Sequence, residues 1–211
     1  MALITAAIGF GIMGVADPAS AGTYQGGVNM QSACDTQYPG WGTRATVLNQ
    51  SDAYSWRCVA GNGSAYSINV NLACRSQYGG GSYAGLGSST NPYSWYCQYA
   101  GCYGASCVHV DPGATDCGGV NSASIETVTV PGGGAQVALK WSDICHANWT
   151  RWVSGVSDPA YWNYWVETSD GHREYKTFNQ SAWTFMVNGN LLARSCIQGN
   201  WDPTPACTGW H

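Results

Sequence analysis

The chain has 211 residues, a formal net charge of −4, only 9% charged residues, and 28 Gly, 13 Tyr, 11 Trp and 10 Cys. An ordinary soluble domain carries about 25% charged residues, so this chain must draw its stability from aromatic burial and cross-links. Its only lysines are Lys140 and Lys176, which leaves no basic face for a phosphate backbone and excludes nucleic acid as an expected partner.

At the start, an apolar run from Ala2 to Ala16 is followed by Asp17-Pro18 and by Ala19-Ser20-Ala21, the small-x-small form of a signal-peptidase site. Residues 1–21 are therefore expected to be a secretory signal peptide, although no Lys or Arg precedes the run. The run is shorter than the roughly 20 apolar residues that span a bilayer and is broken by Gly, so no membrane association is expected after cleavage. Secretion gives the ten cysteines their meaning, because an even number in an oxidising compartment reads as a disulfide framework. Cys102, Cys107 and His109 in "CYGASCVHV" imitate a metal site, but no second well-spaced ligand pair accompanies them. Neither a metal nor another cofactor is expected.

Residues 28–60 and 68–99 form an internal repeat within 22–101. "VNMQSACDTQY" matches "INVNLACRSQY", and each copy ends in Tyr-Ser-Trp-x-Cys, at "DAYSWRC" and "NPYSWYC". Met30, Cys34 and Tyr38, like Val70, Cys74 and Tyr78, recur at i, i+4 and i+8 and predict a short helix. Asn29 and Asn69 are suitable N-caps, with Gly40 and Gly79 as stops. So short a helix needs its apolar stripe covered, and the returning strand covers it if Cys34 bonds Cys58 and Cys74 bonds Cys97. Trp56 and Trp95 are then expected to pack on their own disulfides, as core of a unit too small to supply one otherwise. Duplication also favours binding, since linked weak sites gain avidity.

From about residue 105 the pattern changes to strands. "SIETVTV", "PGGG" and "AQVALKWSD" read as one hairpin, Asp170-Gly171 marks the turn of a second, and "AWTFMV", "NGN" and "LLARSCI" suggest a third. Short strands with tight turns predict an antiparallel β-sandwich or barrel over 102–211, ending in a tail. The fold class expected for the whole chain is α+β, with tandem disulfide-stapled helix-plus-strand repeats in front of that all-β domain.

"CVHVDPGATDC", "VALKWSDICHANWTRW" with Cys145, Trp149 and Arg151, and "LLARSC" with Arg194 and Cys196 resemble the YjfA family over residues 107–196. These are small secreted bacterial proteins without an established function. The preceding repeats are similar to units found in secreted actinobacterial proteins. The resemblance implies an extracellular bacterial protein and transfers no catalytic residue. With the family-like spacing it implies Cys107–Cys117 and Cys145–Cys196, which leaves Cys102 and Cys207 to pair.

Candidates for catalysis are few. Glu167, Asp170, His172 and Glu174 flank the Asp-Gly turn, where solvated polar residues are expected. Ser142, Asp143 and His146 are close in sequence, which is not triad geometry, and terminal His211 is expected to fray. A hydrolase is therefore the weakest reading. In "YWNYWVETS", alternation turns Trp162, Tyr164, Val166 and Thr168 inward and points Tyr161, Asn163, Trp165 and Glu167 outward. Flat rings beside hydrogen-bonding groups suit a sugar, so these four are the candidate ligand-binding residues. The expected function is a secreted, non-catalytic protein that binds glycan or cell-wall polymer. The alternative is an adaptor subunit of an extracellular assembly, such as a toxin particle, with a secreted protein as partner.

Overall fold

Two short helices form where the asparagines predict them. Asn29 Oδ1 accepts from Ser32 N at the start of α1 (Met30–Gln37), and Asn69 Oδ1 accepts from Leu72 N at the start of α2 (Val70–Tyr78). These bonds satisfy amides that the first turn of a helix leaves unpaired. The computed structural model describes residues 22–131, 134–155, 162–176, 182–200 and 202–211, so the expected signal peptide lies outside the described residues.

Around the helices run β1 (Thr23–Gly27), β2 (Arg44–Val47), β3 (Trp56–Val59), β4 (Ala65–Ser67), β5 (Ser82–Leu86) and β6 (Trp95–Tyr99). They form two antiparallel three-stranded sheets, β2-β3-β4 and β1-β6-β5. Disulfide Cys34–Cys58 ties α1 to β3, and Cys74–Cys97 ties α2 to β6, the pairing read from the repeat. Closing loops of 24 and 23 residues stabilises each unit by roughly 3 kcal/mol in the chain-entropy picture.

The strand that leads into each helix lies in the sheet of the other unit: β4 precedes α2 but pairs with β3, and β1 precedes α1 but pairs with β6. A reciprocal set of bonds fixes the exchange. Gln37 donates to Asn69 O and accepts from Asn69 N, both at 2.9 Å, while Gln77 does the same with Asn29 at 3.1 and 3.0 Å. Tyr38 donates to Ser67 O in β4, and Tyr78 to Gly27 O in β1. The Gln and Tyr of the repeated Cys-x-x-Gln-Tyr are thus the residues that join the two copies.

The rest of the chain is built from β7 (Ala123–Thr129), β8 (Gln136–Ser142), β9 (Ala147–Ser154), β10 (Trp162–Thr168), β11 (Arg173–Tyr175), β12 (Val187–Asn188), β13 (Ala193–Gly199) and β14 (Ala206–Cys207). Two antiparallel four-stranded sheets, β12-β9-β8-β7 and β11-β10-β13-β14, pack on each other. Val137 of β8 meets Tyr164 and Ile197 of the second sheet in one cluster, and Leu139 meets Val166 and Ala193 in another. A further cluster, with Tyr83, Ala100, Cys102, Cys117, Cys145, Trp149 and Met186, joins these sheets to the helical units.

Several expectations are overturned. The protein is mainly β, with four small sheets and only two short helices among the described residues, so the α+β class of helix-plus-strand repeats does not hold. Helix periodicity reported the two helices, but short strands separated by turns carry too little pattern to reveal the sheets around them. The third expected hairpin is absent, because β12 pairs with β9 while β13 pairs with β10 and β14. Cys102 bonds Cys107, Cys117 bonds Cys145 and Cys196 bonds Cys207, in place of Cys107–Cys117, Cys145–Cys196 and Cys102–Cys207. Cys145 lies in the turn between β8 and β9, whereas Cys196 lies within β13, in register with Cys207. Nor does His211 fray: its backbone exchanges two bonds with Ala193, and Glu126 lies 2.8 Å from its Nε2.

The exchanged bonds can be tested by removing them. Gln77→Ala should lower the unfolding free energy by about 1–2 kcal/mol, for two lost hydrogen bonds, and the double variant with Gln37→Ala should cost more than either alone. Urea midpoints measure this, with peptide maps confirming that both disulfides remain.

Candidate functional site

The Tyr-Ser-Trp-x-Cys motif places each of its residues in a distinct role. Asp52 and Asn91 each cap a single 3-10 turn by accepting from Tyr54 N and Tyr93 N. That turn lifts the tyrosine rings into solvent, where they are 60% and 64% exposed. Ser55 donates back to Asn49 O, and Ser94 to Ser88 O and Asn91 O, which fixes each preceding loop. The tryptophans then cross to the other copy: Trp56 Nε1 donates to Pro92 O at 2.6 Å and Trp95 Nε1 to Ala53 O at 2.8 Å. The cysteines close the buried disulfides.

Trp56 and Trp95 are therefore half-buried at the junction and do not pack as the core of their own units. Trp56 meets Tyr93 edge to face at 5.8 Å, and Trp95 meets Tyr54 at 5.7 Å. With their indole N–H groups used inside the protein, they offer ring surface rather than polar edges.

Two grooves open between the copies, and both tryptophans line both of them. One, of about 520 Å³, is bordered by Tyr54, Asn69, Val70, Asn71 and Ala84. The other, of about 360 Å³, is bordered by Tyr93, Asn29, Met30, Gln31 and Ala45. These sets occupy corresponding places in the two copies, down to the bonds that Gln31 and Asn71 accept from Ala45 N and Ala84 N. Among the described residues, the side-chain amide nitrogens of Asn29, Asn69 and Asn71 make no hydrogen bond, so they remain free as donors. Arg57 borders the larger groove only, held by Tyr54 O and Trp56 O.

The residues selected from the sequence do not form such a surface. Tyr161 lies outside the described residues, and Asn163 is exposed and bonded to Asn200. Trp165 is only 6% exposed and Glu167 only 3%. β10 is buried on both faces from Tyr164 to Thr168: the facing sheet covers one, and side chains of the neighbouring strands cover the other. Tyr175 and the Arg173 guanidinium lie over the Trp165 ring, centred 5.8 and 5.6 Å from it. Alternation showed two faces but not that side chains of the neighbouring strand close over the second, and the grooves were missed because they exist only between the copies.

Glu167 and Glu174, expected in a solvated turn, are buried as well. Burial opposes ionisation of Glu167, but bonds from Arg194 and Trp165 Nε1, with the charges of Arg194 and Arg173, outweigh it and hold the carboxyl below its usual range. His146 contacts Asn190 and stacks on Tyr103, whereas Ser142 Oγ is buried with no hydrogen-bond partner among the described residues, so the two are not joined as nucleophile and base. Cys102, Cys107 and Cys117 cluster closely, but as disulfides they offer no thiolate. A cleft of about 300 Å³ carries Lys140 and Arg151 beside Trp149 and Trp183, with burial and then the Arg151 charge lowering the Lys140 pKa.

Residues 105–196 match the model of a family described as a protein of unknown function, DUF2690. The match spans less than half of the chain and contains neither groove. No curated protein and no solved structure matches.

Because the folded-state pKa of Glu167 is depressed, its contribution to stability is present above the ordinary value of 4.5 and is lost as pH falls below it. Glu167→Gln should cost on the order of 2–3 kcal/mol near neutrality and should flatten the loss of stability in acid. Thermal melts between pH 2 and 7, an interval of about five units chosen to bracket carboxylate titration, read both effects.

Proposed function

We propose that the protein is a secreted, non-catalytic binding protein whose twin grooves hold neutral glycan or cell-wall polymer. The observation that carries the reading is the repetition: the same set of exposed tyrosine, half-buried tryptophan and free asparagine amide occurs twice. Sugars present apolar C–H faces and hydroxyl edges, which these rings and amides complement. Among the described residues, one arginine is the only charge on either groove, which favours a neutral ligand over a polyanion.

Secretion is supported by five disulfides, which fit an oxidising compartment. Among the described residues no helix is long and apolar enough to cross a membrane. The YjfA-like motifs fall within the matched segment 105–196, and an extracellular bacterial setting is part of the same proposal.

Two adjacent sites on a repeating polymer act together, so the loss of one should be felt as lost avidity. Tyr54→Ala and Tyr93→Ala should each reduce retention on insoluble peptidoglycan or neutral polysaccharide about fivefold, for roughly 1 kcal/mol of stacking, and the double variant should fail to bind. Melting temperatures should stay near that of the unaltered protein, since both rings are largely exposed. If the unaltered protein is retained on no glycan and instead recovers a specific secreted protein, the adaptor reading replaces this one.

A further inference from the structure

Away from the grooves, within the matched segment, three side chains from two separate stretches of chain meet. His109 follows the short loop closed by Cys102–Cys107, His172 sits in the Asp-Gly turn, and Glu174 lies on β11. His109 Nδ1 lies 2.6 Å from Glu174 Oε1, and His172 Nε2 lies 2.8 Å from the same oxygen. All three ligand atoms are within 4.8 Å of one another.

We propose that His109, His172 and Glu174 bind a divalent transition-metal ion of the zinc type. Two imidazoles and one carboxylate are a donor set suited to such an ion. Without metal, one carboxylate oxygen must accept a proton-bearing nitrogen from each ring, and the two rings must be protonated on different nitrogens to do so. A single shared cation replaces those two protons. First-row ions hold nitrogen and oxygen ligands at about 2.0–2.2 Å, which sets ligand atoms about 3.3 Å apart. Each imidazole therefore needs to withdraw from the carboxylate by less than about 1 Å.

The surroundings hold the three groups in place. Glu174 is only 5% exposed, so its carboxylate approaches from the protein interior. His109 has a φ of 65°, a left-handed backbone that residues with side chains rarely adopt. Its backbone N donates to Met186 O, while Met186 N donates to Val110 O, so the conformation is fixed on both sides. His172 N is bonded to Asp170 Oδ1 and His172 O accepts from Thr168 N, which orients the turn. The His109 side chain is 69% exposed, so the remaining coordination positions face solvent. The cysteines cannot compete for the ion, because none is free.

The test uses the mature, tag-free protein, stripped with EDTA and titrated calorimetrically with zinc chloride. One zinc per chain should bind, raising the melting temperature, and His109→Ala and His172→Ala should each weaken binding at least tenfold. Melts without zinc establish that both variants are folded, and if His172→Ala unfolds, the exposed His109 decides the matter alone. Cobalt chloride provides a second readout, with a visible absorption band expected in the unaltered protein and lost in His109→Ala. Absence of zinc uptake, or unchanged affinity in a folded variant of either histidine, overturns the site.

Discussion

The two glutamine–asparagine exchanges, Gln37 with Asn69 and Gln77 with Asn29, are the constraint from which the front half of the molecule follows. Each glutamine saturates the backbone of the residue that caps the other copy's helix. Helix start, strand crossing and copy-to-copy contact therefore share the same few atoms. Since neither sheet is complete without a strand from the neighbouring segment, the two copies form one folding unit. The grooves inherit their geometry from this arrangement, with their walls contributed by both copies.

Polarity is used sparingly. In a chain with 9% charged residues, the two buried carboxylates among the described residues are each answered by partners. Glu167 takes Arg173 and Arg194 on one buried carboxylate, and Glu174 takes two histidines on another. A buried carboxylate without such partners would be expelled or protonated. The five disulfides do the complementary work of limiting the unfolded chain, and Cys117–Cys145 in addition anchors the loop after the helical units to the β8–β9 turn.

The matched segment and the grooves occupy different parts of the chain. Whatever the segment does in other proteins, the aromatic grooves are a property of the residues that precede it. The joint cluster around Tyr83, Ala100, Cys102, Cys145 and Met186 holds the two parts against each other.

By itself the sequence determined the local features: two helices capped by Asn29 and Asn69, the Cys34–Cys58 and Cys74–Cys97 staples, the pairing of β7 with β8, and the turn at Asp170-Gly171. Each depends on residues within about one turn or one repeat, where spacing alone specifies geometry. Tertiary structure decided the rest. Alternation along β10 could not reveal that Tyr175 and Arg173 cover Trp165, because a strand carries no record of the side chains that its neighbours in the sheet extend across it. The pairing of the last six cysteines depended on which sheet each strand joined, and cysteine spacing does not encode that. Tyr54, Tyr93 and the two asparagine caps become one kind of surface, and His109 and Glu174 another, only because strand exchange and sheet packing bring distant residues within a few ångströms of each other.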